Sequence, residues 1–502
     1  MKSKSLEKLI HSLEKGERRY CRQHLSREKG AAAAIRLKIY DAIINGNVAM
    51  KDAKDRRFSQ STFASHRKRL FNTLLEHIRI LHSRRTKDTD LWSLYHESNL
   101  LFSLGLVEEA LEKVKKALRQ AEYLEELMVE LAIRELLREI LKNLSDKTTL
   151  EEIKDNEYKL ETLSEKLMVQ VKYTILNDRI FALTQAYRHS SSSTIKNGLN
   201  ELMQSPLLTN IHNASSIPAQ LRYYHCLATY AGANNRVEES IDHYLRILAL
   251  WESKPERIAL YPHMYMGVLN NVVGKLNILQ RLEESLEYIR KLEETPTRNI
   301  RESVLKFVYT ENHYQLYYLN NGMIRQLLVR EPTMTSGLST FQNLVPESFR
   351  ITFRYNMAIA YLMNGDFGSS LRYFTSLRDL GRLSTRHDLQ GMARVFRLLL
   401  LSENDDLGSF FHYLRNTKRY FDRTHVSYEL EQFVISWLKT HYKIQGSSER
   451  KDSFGNLENA MKSLTNRRLL GAEEIGLWAR SHAIGIPIKT LYKNIIAKNR
   501  CA

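Results

Sequence analysis

The side chains best suited to bind a charged ligand are basic residues that come in pairs and triplets near the start of the chain. The candidates are Arg18, Arg19, Arg22, Arg56, Arg57, Arg67, Lys68, Arg69, Arg84 and Arg85. Lys and Arg bind phosphate groups, and aromatic side chains interleaved with them, such as Tyr20 and Phe71, can stack on bases. The pattern predicts a surface for a polyanion such as RNA or DNA. A solvated helical cap and a docking surface for an acidic protein explain the same residues.

The charge of the protein is concentrated at its two ends. Residues 1–90 hold 22 Lys and Arg against 10 Asp and Glu, and residues 461–502 hold 8 against 2. Residues 91–460 hold 45 of each kind, so the net charge of +18 comes entirely from the ends. A local excess of this size attracts polyanions at low ionic strength. We therefore expect the ends and the middle of the chain to have different roles.

Patterns that support catalysis or cofactor binding do not occur in the sequence. It contains no H-E-x-x-H zinc motif, no G-x-x-x-x-G-K-[ST] or G-x-G-x-x-G phosphate loop and no G-x-S-x-G nucleophile. Cys21, Cys226 and Cys501 are far apart in sequence, so they indicate neither a metal site nor a disulfide framework. The sequence therefore predicts a protein that is not an enzyme and holds no cofactor or metal.

The composition favours long helices. The 502 residues include only 20 Gly and 8 Pro, and runs of Leu, Glu, Lys, Arg and Ala, which are good helix formers, dominate. No stretch reaches the ~18 apolar residues of a membrane span, and the first residues lack the apolar region of a signal peptide. The few scattered cysteines are typical of a reducing compartment. We expect an all-α protein in the cytoplasm.

Four segments share a turn, a small residue five positions later, and apolar residues four and seven positions beyond it. The segments begin at Gly105, Asn235, Gln280 and Gly365, and their small residues are Ala110, Ser240, Ser285 and Ser370. In our interpretation the turn separates two antiparallel helices, and the small residue lets their backbones approach. The segments resemble the tetratricopeptide repeat (TPR), although the Trp that is usual in the first helix is missing.

The spacing of these segments predicts the architecture. The small residues are separated by 130, 45 and 85 positions, which are multiples of roughly 44 rather than of the roughly 34 residues of a TPR. Weaker copies fall in the gaps, at 151–153, 195–199, 324–328, 407–410 and 457–460. Helices of about 18–20 residues would fill this period. The sequence thus predicts an all-α fold in which long antiparallel helix pairs stack into a TPR-like α-solenoid.

Local signals divide the chain further. Residues 1–90 are predicted to form a basic N-terminal helical domain with helices near 4–15, 16–27, 31–45 and 59–83, followed by TPR-like repeats over 91–460. A capping-box pattern at 148–152 predicts the start of one long helix. Thr295 and Glu331 each precede a proline and should end a helix. Polar breaks are expected at 189–193 and 446–448.

Residues 461–502 are predicted to form basic C-terminal capping helices. The stretch from Trp478 to Lys493 is superficially similar to a helix–turn–helix, but its spacing is loose and Pro487 begins the second helix. A helical cap at the end of a solenoid explains the stretch better, because such caps need a polar outer face. Arg480, Lys489 and Lys493 would supply that face.

Both termini resemble an uncharacterised group of bacterial TPR-like proteins. The similar stretches are LIHSLEKGERRY at 9–20, IYDAI at 39–43, IGLWARS at 475–481 and GIP at 485–487. The resemblance implies a helical-repeat fold in a bacterial cytoplasm and implies no particular activity. We expect a non-enzymatic scaffold or adaptor that binds a protein or peptide along a solenoid groove. The alternative is a protein that binds RNA or DNA through residues 1–90, and neither hypothesis involves a membrane or a small-molecule substrate.

Overall fold

The regular structure of the chain is helical. A computed structural model describes residues 5–45, 60–85, 91–144, 150–190, 193–377, 386–402, 407–424, 429–444, 446–465 and 469–501. Within these ranges the regular elements are helices and none is a strand, which confirms the prediction of an all-α protein. None of the helices described there combines the length and the hydropathy of a membrane-spanning segment.

The chain folds as two compact units, and the first begins with four helices around their own core. The first unit contains Met1–Tyr265 with Arg298–Ile300, and the second contains Met266–Thr297 with Arg301–Ala502. The four helices are α1 (Ser5–Ser12), α2 (Lys15–Arg27), α3 (Ala31–Ile44) and α4 (Gln60–Arg85), close to the predicted bounds. Leu6, Tyr40 and Leu70 meet in the core. Helix α1 ends early because Glu14 and Glu17 form a capping box that starts α2.

The other helices of the first unit pack mainly on their sequence neighbours. They are α5 (Leu91–Ser103), α6 (Val107–Leu124), α7 (Leu127–Asn143), α8 (Leu150–Ser190), α9 (Ser193–Met203), α10 (Ile217–Ala233), α11 (Val237–Glu252), α12 (Pro255–Leu260) and the start of α13 (Pro262–Ile278). Contacts run in series from α5 to α9, and α10 packs on both α8 and α11. Helix α8 has 41 residues, more than twice the predicted length, and it begins beside the predicted start at 148–152.

The second unit continues from α13 with shorter helices. They are α14 (Leu282–Glu294), α15 (Ile300–Asn320), α16 (Ile324–Val329), α17 (Glu331–Phe341), α18 (Glu347–Asn364), α19 (Phe367–Ser376), α20 (His387–Ser402), α21 (Leu407–Thr424), α22 (Glu429–His441), α23 (Ser447–Thr465), α24 (Ala472–Ile484) and α25 (Ile488–Cys501). Contacts run in series from α18 to α21 and from α22 to α25. In addition, α25 at the end of the chain packs back on α18.

Two predicted details in this unit are wrong. Glu331 begins α17 instead of ending a helix, because Pro332 occupies the first turn, where a missing backbone N–H leaves no hydrogen bond unmade. The repeat copy predicted at 457–460 lies inside α23 and has no turn before it. The predicted stop at Thr295 is confirmed, since Thr295 caps the end of α14. The polar break at 446–448 separates α22 from α23 as predicted.

One turn geometry recurs between consecutive helices. At each turn a residue has positive φ, and the N–H of the next residue donates to the carbonyl five positions earlier over 2.8–3.0 Å, as in a Schellman cap. The positive-φ residues are Gly105, Glu125, Asn235, Gln280, Gly322 and Gly365. Four of the six are the predicted repeat turns, and the turn at Gly322 precedes the weaker copy at 324–328. The last four follow one another at intervals of 45, 42 and 43 residues.

The small residues of the repeat segments lie where two helices touch. Ser240 is fully buried, and its Oγ donates to the carbonyl oxygen of Ala228 on α10 over 2.6 Å. Ser370 makes the equivalent contact with Ala358 on α18 over 2.8 Å. The same relation in two distant pairs indicates one packing rule, because a larger side chain would separate the backbones. The other two small residues, Ala110 and Ser285, are also fully buried.

Candidate functional site

The second unit contains a cleft of ≈ 940 Å³. Five helices contribute to its walls: α14, the C-terminal turn of α15, one face of α18, the start of α24, and α25. The α18 residues Tyr355, Ile359 and Met363 are spaced by four and therefore lie on one face of their helix. Tyr492 and Ile496 give α25 the same spacing. Helical periodicity thus brings side chains from distant parts of the sequence to one cleft.

Four side-chain amides line the cleft: Gln280, Asn320, Asn321 and Asn356. Asn356 is held from behind, because its Nδ2 donates to Oε1 of the buried Gln315 over 3.1 Å. Asn321 is held by α15 itself, since its Nδ2 donates to the carbonyl oxygen of Tyr317 over 3.1 Å. An amide carries both a donor and an acceptor and can therefore pair with a peptide backbone. The cleft presents such groups from two neighbouring helices.

The charged residues in the described lining of the cleft are all acidic: Glu283, Glu473 and Glu474. Tyr317 makes only long contacts of 3.4 and 3.5 Å with the Glu283 carboxylate. Among the residues that the structure describes, none of the three carboxylates forms an ion pair. Burial, reinforced by the charge of Glu473, raises the pKa of Glu474 to about 7. The cleft is therefore a region of negative potential whose charge changes near neutral pH.

Tyr355 lines the cleft and carries a buried polar group. The residue is only 4% exposed, and its hydroxyl makes no hydrogen bond with any described side chain or backbone group. Its ring is fixed by edge contacts with Phe374 and Phe396, whose centroids lie 5.8 and 6.4 Å away. Burial and the nearby carboxylate of Glu474 raise the pKa of Tyr355 well above 10, so the phenol stays neutral. A rigid hydroxyl without a partner is well placed to receive a ligand.

Two clefts of the first unit differ in their electrostatics from the cleft of the second unit. One has a volume of ≈ 160 Å³ and the other ≈ 370 Å³. Glu126 in the smaller one lies 3.2 Å from Arg257, and Glu130 in the larger one lies 2.8 Å from Arg134. These buried carboxylates already have cationic partners, as buried charges require. The unpaired carboxylates of the second unit are the more informative feature.

Helix α25 forms part of the cleft wall. Its Tyr492 donates a hydrogen bond to the carbonyl oxygen of Leu319, and Ile496 lies beside Gly322 in the turn after α15. A recognition helix would need a free face for DNA, whereas α25 uses these side chains to pack within its own unit. Tyr492 and Ile496 are therefore not available on a free face, and the capping role stays a prediction. Two of the basic residues predicted on the outer face of the cap lie on α25: Lys493 is exposed and Lys489 is partly buried.

Three of the predicted polyanion-binding residues make contacts within the group of four N-terminal helices. Arg18 donates to the carbonyl oxygens of His11 and Leu13 over 2.9 Å. Arg22 forms a bidentate pair with Asp41 of α3 at 2.8 and 3.0 Å. Arg67 pairs with both carboxylate oxygens of Glu7 of α1. These three guanidinium groups connect α1, α2, α3 and α4 and are therefore engaged with the protein itself.

The other predicted basic residues divide into three sets. Arg19, Lys68 and Arg69 are exposed, and none of the three forms an ion pair within the described ranges. Arg84 and Arg85 are the last residues of α4, while Arg56 and Arg57 lie outside the described residues. The exposed set comes from α2 and α4, which are in contact.

The residues of the cleft could not be recognised from the sequence. Tyr355, Asn356, Glu473 and Glu474 belong to no motif, and two helices far apart in sequence bring them together. One signal was available: Glu473 and Glu474 are the only acidic residues in the basic stretch 461–502. In the described part of the chain, the cleft included, no three His, Cys, Asp or Glu side chains come together as metal ligands would. The sequence matches no protein-family model and no curated protein.

Proposed function

We propose that this protein is a non-enzymatic interaction scaffold whose second unit binds a segment of a partner protein, or a peptide, in the cleft between α15, α18 and α24. The observation that carries the proposal is Tyr355, which lines the cleft together with four amides and has a buried hydroxyl without a partner in the described protein. Such groups recognise a polypeptide backbone, which presents donors and acceptors in alternation.

The recurring turns support a TPR-like α-solenoid of long antiparallel helix pairs as the frame for this cleft. Asn235, Gln280, Gly322 and Gly365 occur at intervals close to the predicted period of roughly 44. Solenoids expose long grooves, and the residues of a groove can vary without disturbing the packing between repeats. A reducing cytoplasmic setting is part of the same proposal, since Cys21 and Cys226 are buried free thiols.

Selection from a random 12-residue peptide library displayed on phage tests the proposal. We expect the wild-type protein to enrich peptides that bind more weakly to Tyr355→Phe, which removes only the unpartnered hydroxyl, and to Asn320→Ala. Glu294→Gln is the matched control, because Glu294 is exposed on α14 and does not line the cleft. If no peptide is enriched, or if enriched peptides bind all variants equally well, the cleft is not a peptide site.

Binding of RNA or DNA is the second candidate function, and the exposed, unpaired Arg19, Lys68 and Arg69 favour it. If the three side chains contact phosphates, the triple variant Arg19→Gln, Lys68→Gln, Arg69→Gln should lower the slope of log affinity against log salt by about 3 for a duplex. Lys172→Gln is the control, since Lys172 is exposed on α8. Fluorescence anisotropy with a labelled duplex at several salt concentrations measures the slope, and an unchanged slope removes these residues from any nucleic-acid site.

A further inference from the structure

We propose that the segment bound by the cleft is cationic: a lysine or arginine flanked by apolar residues, with its charged group at Glu473 and Glu474 and beside the hydroxyl of Tyr355. This inference rests on the proposed function and adds the chemistry of the partner. Among the described residues that line the cleft, three are carboxylates and none is Lys, Arg or His.

Glu474 has no countercharge among the described residues that line the cleft. This side chain faces the cleft between Glu473 on its own helix, Tyr355 on α18 and Tyr492 on α25, and none of these three supplies a positive charge. Glu474 is half-buried, and carboxylates that lose hydration in this way are normally paired, because an unpaired buried charge is costly. The clefts of the first unit follow that rule through Arg134 and Arg257. An ammonium or guanidinium group from a ligand would complete the same arrangement here.

The hydroxyl of Tyr355 supports the same ligand independently of charge. The Tyr355 hydroxyl is buried in the cleft wall, has no hydrogen-bond partner in the described protein, and cannot turn away because two phenylalanine rings hold its own ring. A neutral phenol can accept an N–H and donate to a carbonyl oxygen at the same time. A lysine or arginine side chain has N–H donors to offer, and the backbone that carries it has carbonyls. The hydroxyl and the carboxylates therefore suit one and the same ligand group.

The apolar residues of the cleft indicate which residues flank the cation in the bound segment. Apolar side chains make up much of the remaining wall, among them Leu316, Leu319, Ile359, Met363 and Leu477. A free polyamine or a purely basic tail would leave this surface without apolar contact, whereas a segment with apolar flanks would bury it. The amides of Asn320 and Asn356 lie along the same wall and suit the backbone of such a segment. The combination describes a mixed segment with one central cation.

Charge-swapped peptides from the phage selection test this inference. Peptides enriched by the wild-type protein are synthesised with each Lys or Arg replaced by Gln, and their affinities are measured by isothermal titration calorimetry. For wild-type protein we expect Lys→Gln in the peptide to lower the affinity at least tenfold. For the variant Glu473→Gln, Glu474→Gln the same replacement should have less than a threefold effect, because the anchoring carboxylates are gone. Circular dichroism establishes that the variant is folded, and Glu294→Gln is the control.

The outcomes separate the inference from the proposed function. Enrichment of Lys or Arg together with loss of the charge effect in the double variant supports both. If the enriched peptides are neutral or acidic, yet bind Tyr355→Phe and Asn320→Ala more weakly, the cleft is a peptide site and the cationic anchor is wrong. The same conclusion follows if Lys→Gln in the peptide lowers the affinity for wild type and for the double variant by the same factor. If no peptide is enriched, or if enriched peptides bind every cleft variant as tightly as wild type, both proposals fail.

Discussion

Replacing Glu474 by Gln should stabilise the second unit in alkaline solution and change little in acid. Burial and the nearby Glu473 raise the pKa of Glu474 from 4.5 to about 7. The folded protein therefore holds this proton more tightly than the unfolded chain does, so stability falls as the pH rises from about 4.5 through about 7. At ~1.4 kcal/mol per pKa unit the penalty above pH 7 reaches ~3 kcal/mol. This value is an upper bound, since the cleft leaves the carboxylate partly exposed to screening water. Glutamine is neutral at every pH and avoids the penalty.

Amide hydrogen exchange in α24 measures this penalty locally, which matters in a protein of two units that need not unfold together. Wild type and Glu474→Gln are compared at the same pH, so that the intrinsic pH dependence of exchange cancels. We expect exchange in α24 to be up to ~100-fold slower in the variant at pH 8, with a much smaller difference at pH 5. Glu294→Gln should match wild type at both pH values. A variant effect of equal size at pH 5 and pH 8, or faster exchange at pH 8, would refute the reasoning.

Three further predictions concern the turns, the helix contacts and the cleft. Gly365→Ala should destabilise the second unit by about 1–2 kcal/mol, because the φ of 80° at this position is unfavourable for a residue with a Cβ. Gly368→Ala within α19 should be neutral or stabilising. Urea titration measures the free energy of unfolding of both variants. In the same titration, Ser370→Val should lower the free energy of unfolding by about 1–3 kcal/mol, since the added methyl groups would push α19 away from Ala358. Ser370→Ala should lower it by about 1 kcal/mol, through loss of the hydrogen bond. Equal losses in the two variants would contradict the close contact. The affinity of the selected cationic peptide should rise several-fold from pH 6 to pH 8, because Glu474 loses its proton over that range. Calorimetry measures this affinity. No rise in wild type, or the same rise in Glu474→Gln, would count against Glu474 as the partner of the peptide's cation.

The repeat turns were accessible from the sequence because their geometry is local. At Gly365 the glycine itself marks the positive φ, and the small residue five positions later marks the helix contact. At Gln280 and Asn235 no glycine is present, but the neighbouring pattern of acidic and apolar residues is strong enough to place the turn. Glu125 adopts the same conformation without that pattern and was missed. Signals of a few residues suffice where the structure depends on a few residues.

The candidate site depends on long-range packing and could not be predicted in the same way. Whether a basic residue serves a ligand or the fold depends on its neighbours in space: Arg22 and Arg67 look equivalent to Lys68 in sequence, yet only the two arginines have carboxylate partners. The opposite holds for Glu474, which is half-buried although no neighbour in sequence marks it so. Its role follows from α25 and α18 closing around it, a tertiary contact that no spacing rule encodes.

Hydrogen exchange with and without the selected peptide tests the central claim most directly, because it locates the bound peptide on the whole chain. We predict slower exchange on peptide addition in the C-terminal turn of α15, in α18 and at the start of α24, with no change in α2 and α4. Tyr355→Phe should reduce that protection at equal peptide concentration. Protection confined to α2 and α4, or protection of the cleft helices that is identical in Tyr355→Phe, would contradict the account.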